Sequence, residues 1–269
     1  MINLVRATNK AGSVLELPIA ETLNGFAVQE IDGLDPVKAT IVTSSFAQQD
    51  GTQYQSSRRD QRDIKLSIGL EPDYVVTTTQ GLRSQLYRFF MPKSEVALSF
   101  VDDDGRVFNI SGRVETCEAP LFVQEPQMDV VIICFDPDFV EDEQVQVFGN
   151  TTNTSDQMEI VYDGTVETGI EFNLTVNRTI TAFSIYHTLP NGDVRTLDFT
   201  YPLTAYQVLT ITTSPGQKGA NITGVSVLYG ITPESNWISL EPGSNFIRVY
   251  AEGVPAPFNI KYTNKYGGL

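Results

Sequence analysis

Histidine occurs once and cysteine twice in this chain of 269 residues. A zinc cluster would have to be built around that histidine, and no Cys/His ligand spacing accompanies it. Cys117 and Cys134 lack CxxC spacing, and nothing points to an oxidising compartment. Cys134, within "MDVVIICFD", reads as a small core hydrophobe. His187 lies in the strand-like "SIYHTL" with no GxSxG or HExxH around it, and is expected at a sheet surface or edge. No GxGxxG or GxxxxGK[ST] is present, so no phosphate or dinucleotide cradle is indicated and no cofactor is expected. "DDDG" at 102–105 resembles the start of a calcium loop, but Arg113 stands where the bidentate Glu would be needed. It reads as a charged hairpin turn. With 33 acidic residues some pair will sit at glycosidase spacing in almost any fold, so that signal carries no weight. A non-enzymatic protein is expected.

Positive charge is also scarce. Eighteen basic residues against 33 acidic give a net charge of -15 and a pI near 4.4. Nucleic-acid binding needs Lys and Arg clustered over a broad face, so it is disfavoured, as is a membrane-surface role. No stretch approaches the roughly 18 consecutive apolar residues of a membrane span, and "MINLVRATNKAGSVLELP" lacks the basic-then-apolar plan of a leader. A soluble, unsecreted chain without membrane insertion is expected. Residues 1–145 carry 12 basic and 23 acidic groups, net -11, against 6 and 10, net -4, over residues 146–269.

What the chain has in quantity is short β-branched and apolar runs separated by turn residues. "SVLELPI", "GFAVQEI", "KATIVTSSF", "RDIKLSIGL", "VALSFV", "RVFNISGRVE" and "MDVVIICF" read as an antiparallel β domain. Asp104-Gly105 joins two of these runs as a hairpin. One segment breaks the pattern: in "TTTQGLRSQLYRFFMPK", Leu82, Leu86, Phe89 and Phe90 fall at helical spacing. Thr77 with Gln80 would cap this helix and Pro92 would stop it. The acidic Glu141, Asp142 and Glu143, followed by "GNTTNTSD", place a boundary near residue 144. Two domains follow, 1–144 and 145–269. The second has eight strand-like runs and no helix, with a hairpin at "LPNGDV", and reads as a β-sandwich.

Two features stand out as candidate contact residues. Arg58, Arg59 and Arg62 crowd into "SSRRDQRD", where the bland reading is a solvated turn with Asp60 and Asp63 as local partners. Trp237, the single tryptophan, lies in "ESNWISLEPGSN" beside Asn and Glu, where it could stack on a glycan or sit half-buried in the sandwich.

The stretches "FAVQEIDGLDPVKATI", "QQDGTQYQSSRRDQRDIKLSIGL", the helix ending in "LYRFFMPK", and "GRVETCEAPLFVQEP" through "DVVIICFDPDF" together resemble the distal tail proteins of bacteriophages with long, non-contractile tails. "YDGTVETGIEFNLTVNR" and "ISLEPGSNFIRVYAEG" resemble the galectin-like C-terminal sandwich of that family. The resemblance covers nearly the whole chain. It implies a structural protein of the virion tail tip, whose N-terminal β domain forms a hexameric ring joining the tail tube protein to the tail-tip or baseplate proteins. It also implies an extended arm, matching roughly Phe46 to Asp63, that reaches over the neighbouring subunit. Arg58, Arg59 and Arg62 would then contact an acidic face of that neighbour. An acidic hub would not adhere to passing DNA, with Asp102–Asp104 as candidate lumen residues. In some members inserted modules bind host-wall sugars, but this chain is too short to carry one. The alternative function is carbohydrate-binding adsorption through the C-terminal sandwich, with Trp237 as the contact.

Overall fold

Every second side chain of "QMDVVIIC" turns inward: Met128, Val130, Ile132 and Cys134 are buried, while the residues between them stay partly exposed. This period-two burial, repeated along most strands, is what makes a sheet rather than a helix of these residues. The computed structural model describes residues 1–19, 21–47, 50–120 and 125–269. The chain is mainly β and divides into two compact units, Met1–Asp142 with Tyr266–Leu269, and Glu143–Lys265. In chain order the second unit therefore lies within the first, whose last four residues, 266–269, follow it.

The first unit contains β1 (Ile2–Asn9), β2 (Val14–Pro18), β3 (Phe26–Asp32), β4 (Ala39–Ser44), β5 (Gln53–Arg59), β6 (Arg62–Leu70), α1 (Thr79–Phe90), β7 (Glu95–Asp102), β8 (Val107–Glu118), β9 (Gln127–Cys134) and the start of β10 (Phe139–Asn150). Strands β2-β1-β7-β8-β9-β6-β3 pair in that order, all antiparallel. One edge of β8 changes partner. Phe108 and Asn109 pair with β10, and beyond them Arg113–Glu118 pairs with β9 across an irregularity at Val114 and Thr116.

Antiparallel alternation fixes which residues share an end of this sheet. Ile2, Asp102, Val107, Cys134, Arg62 and Asp32 lie toward one end, and Asn9, Glu95, Glu118, Gln127, Leu70 and Phe26 toward the other. The turn at 103–106 is the charged hairpin expected, but Asp102 itself is buried. It accepts the backbone N–H groups of Asp104 and Arg106 and pairs with the Arg106 guanidinium at 2.8 Å, so its carboxylate is spent on the turn and is not offered to a lumen.

Helix α1 buries Leu82, Leu86, Phe89 and Phe90, the positions read from the sequence. Its cap sits one residue later than expected. Thr78 accepts the Gly81 N–H at 3.1 Å, while Thr77 is held by Asp73, whose Oδ1 takes the N–H groups of Val75, Val76 and Thr77. Met91 leaves the helix in an extended conformation, as a residue before proline does.

The second unit packs two sheets over one core. In one, β10 continues and is followed by β21 (Pro257–Tyr266), β13 (Glu171–Thr175), β16 (Val208–Thr212), β17 (Gly219–Ile222) and β18 (Val225–Ser226). The other holds β11 (Met158–Tyr162), β20 (Gly243–Tyr250), β14 (Phe183–Thr188) and β15 (Val194–Phe199), and β12 (Thr168–Gly169) pairs separately with β19 (Ser239–Leu240). Phe172 of β13 meets Phe183 of β14 at 6.1 Å between ring centres, which ties the two sheets together. The β14–β15 hairpin turns at Leu189–Asp193, as "LPNGDV" indicates.

His187 is a correction. It is not at a surface or an edge but fully buried in β14, between β20 and β15. Asn245 Nδ2 donates to the carbonyls of Glu241 and Gly243, so its Oδ1 accepts, and His187 Nε2 must carry the proton that it donates to Oδ1 at 2.9 Å. Burial holds the imidazole below its ordinary pKa of 6.5, against the opposing pull of the Asn245 bond. The unfolded chain therefore takes up the proton first. The resulting stability is complete above pH 6.5 and falls as pH drops below it, by up to about 1.4 kcal/mol per pH unit for one proton. Urea midpoints of the second unit at pH 7 and pH 5 should separate accordingly, and His187→Gln should flatten the difference.

Candidate assembly surface

β4 and β5 form a sheet of their own, two strands bonded to no third among the described residues. All of β5 is exposed, and Ile41, Val42, Phe46 and Tyr54 are each half or more exposed on this hairpin. An isolated two-stranded hairpin is marginal in water, and β-branched and aromatic side chains gain from cover that its own chain does not give here. This is the arm. It begins at Ala39, earlier than the span Phe46 to Asp63 expected, and it is a paired hairpin, not a stretch without secondary structure. Gln48 and Gln49 of the expected span lie outside the described residues. Beyond Asp60 the chain has already returned to the main sheet as β6.

The three arginines do not act as a group. Arg62 is a correction: it is 1% exposed and cannot meet a neighbouring subunit. Its Nε donates to the Pro137 carbonyl at 2.7 Å, Nη1 to the carbonyls of Gly33 and Asp35, and Nη2 to that of Gly267 at 2.6 Å. Its guanidinium lies 4.4 Å from the Phe139 ring centre. Burial lowers its pKa from the ordinary arginine value. Arg59 grips Asp138 with both terminal nitrogens, which fastens the base of the hairpin to the loop before β10. The local partners expected, Asp60 and Asp63, are not used for this. Asp60 instead accepts the Thr40 hydroxyl at 2.8 Å. Of the three, only Arg58 is exposed on the hairpin with no salt bridge among the described residues.

Trp237 is half-buried against the core of the second unit, and the Lys218 ammonium lies 5.6 Å from its ring centre. A ring packed on one side and approached by an ammonium leaves little open face for a sugar to stack on. Cys134 is buried and its thiol is pushed up to about 12, and that of Cys117 to about 11, both by burial. Neither is a nucleophile at neutral pH. Among the described residues no group of three His, Cys, Asp or Glu side chains is placed to hold a metal ion. No helix of the described residues is long and apolar enough to cross a membrane.

Residues 19–118 match the family described as phage tail protein RIFT-related domain, and residues 163–266 the one described as siphovirus-type tail component, C-terminal domain. The chain belongs to the Dit-like siphovirus tail proteins. Among solved structures it is similar to the Dit protein of phage SPP1, described as a paradigm of the hub adsorption apparatus in phages that infect Gram-positive hosts. The TM-score is 0.70 and the identity 17%, over 97% of this chain and 98% of that one. Weaker likenesses run to chains of the phage P2 baseplate in its activated conformation, with Ca at TM-score 0.49 and 8% identity, and with Sr at 0.47 and 10%. No curated protein matches. The family and fold of this Dit-like chain are those of structural phage tail proteins.

Proposed function

We propose that this Dit-like chain, made in the host cytoplasm, assembles head to tail into a ring at the virion tail tip. Six copies is the number its family suggests, and the ring joins the tail tube to the tail-tip or baseplate proteins. The observation that carries this reading is the exposed hairpin Ala39–Arg59. Ile41, Val42 and Tyr54 lack cover from their own chain, and a neighbour that lay under them would supply it. Head-to-tail contact also fits the charge, because the exposed Arg58 near the base of the hairpin can meet an acidic face although the chain as a whole repels itself. Arg58 is the residue left for that contact, since Arg59 and Arg62 are engaged within the chain.

Native mass spectrometry tests the reading directly. A closed oligomer is expected at micromolar concentration, and Arg58→Glu should leave the melting temperature unchanged while weakening the oligomer by about tenfold, as loss of one interface charge pair does. Rising salt should act in the same direction. A wild-type protein that stays monomeric across dilution would overturn the ring.

A further inference from the structure

The first unit carries an apolar projection at one end of its sheet and an apolar hollow at the other. The projection follows β6. Tyr74, Val75 and Val76 are 74%, 90% and 85% exposed, three consecutive large apolar side chains in water. They are not on a loose loop. Tyr74 sits at φ 54° and Asp73 ties down the three N–H groups that follow, so strongly that its carboxyl is held at about 2, chiefly by the Thr77 and Val76 bonds. A turn braced in this way presents its side chains at little further entropic loss on binding.

The hollow, about 530 Å³, is lined by Ile2, Ile19, Ile31, Leu34, Phe108 and Tyr266, with Arg106 beside it. Its lining is mainly apolar, and Phe108 and Tyr266 form its aromatic wall, edge to face at 5.3 Å. Leu34 lies between Gly33 and Asp35, whose carbonyls hold Arg62, so the hollow is at the Arg62 end of β6. The projection begins after Leu70, at the opposite end. Ile31 of the hollow pairs with Leu66, midway along β6, and the projection lies beyond Leu70; its three side chains stay exposed, so the chain does not fill its own hollow.

We infer that the Tyr74-Val75-Val76 projection of one copy seats in the apolar hollow of a second copy. Such a contact joins unlike patches, so it is heterologous and every copy can both give and receive. Its size says how it works. An aromatic ring buries about 150–250 Å² and the three side chains together on the order of 400 Å², about half of the roughly 800 Å² per partner found in a stable interface. It holds only alongside another contact. The arm hairpin is that contact, so the inference rests on the ring reading and adds a second joint to it.

Single-cysteine placement tests it on the full-length chain. Val76→Cys and Leu34→Cys proteins are mixed and gently oxidised; the native thiols, held at about 11 and about 12, stay silent. A disulfide-linked heterodimer is expected at about tenfold or more over either variant alone, because the seated pair shares a high effective concentration. No excess of heterodimer, in a mixture whose native mass still shows oligomer, would overturn the joint and leave the ring standing. Dimers of Val76→Cys with itself at the same yield would overturn it too, since like patches would then be meeting. Monomers throughout would overturn the ring and the joint together. As an independent arm, Val75→Ser with Val76→Ser should weaken association by about tenfold or more with the fold intact by circular dichroism, and unchanged association would count against the joint.

Discussion

Arg62→Ala is expected to leave the first unit unfolded, or nearly so, under conditions where the wild-type protein is native. Four backbone carbonyls, those of Gly33, Asp35, Pro137 and Gly267, point at one guanidinium in a place water does not reach. Removing the side chain strands all four, at about 1–3 kcal/mol for each unpaired buried group, so the loss is on the order of 4 kcal/mol or more. That rivals the roughly 5–15 kcal/mol by which a domain is stable at all. The chain is shaped around this side chain. At Gly33, φ is 92° and an added Cβ would lie 2.1 Å from the Asp63 carbonyl oxygen, so only glycine lets its own carbonyl turn toward Arg62. Arg62→Lys should recover little, because one ammonium cannot span four acceptors set around a planar fork. Urea denaturation of the first unit reads the effect, with Arg58→Ala as the unaffected control. A midpoint for Arg62→Ala within about 1 kcal/mol of wild type would show the carbonyls to be satisfied otherwise.

Removing the arm is expected to do the reverse: keep the fold and abolish the oligomer. Ala39 and Arg59 face each other across the hairpin, so residues 40–58 can be replaced by a two-residue Asn-Gly turn without shifting either end. Arg59 keeps its grip on Asp138, and Arg62 keeps its four carbonyls. No buried core residue lies among the described residues of the deleted segment, so the melting temperature should move by only a few degrees. The oligomer, by contrast, loses the apolar cover of Ile41, Val42, Phe46 and Tyr54. A ring of undiminished stability by native mass would place its main contacts elsewhere.

Much of this was legible in the residues, and the misses are instructive. The strands, the helix core and the hairpin at "LPNGDV" follow from periodicity and turn chemistry, which are local. The fates of the three arginines are not local, yet one could have been read. Arg62 shares its parity with Ile64, Leu66, Ile68 and Leu70, and in a strand that parity means the same inward face. His187 likewise shares parity with Phe183 and Ile185, which placed it inside. The link from Arg59 to Asp138 spans 79 residues and leaves no local trace. The arm was hidden for the opposite reason. "KATIVTSSF" is as β-branched and apolar as a core strand, and it is the absence of a third strand beside it among the described residues that reveals its exposure.

The insertion of the second unit has a mechanical consequence. Two peptide connections, at 142–143 and at 265–266, join it to the first, and β10 and β21, the strands that carry them, are neighbours in one sheet. A pull on the second unit is shared between two anchor points, and a nick at either one leaves it tethered. Because its entry and exit strands run side by side, the whole unit can be exchanged for another with adjacent ends, leaving the strand order of the first unit untouched.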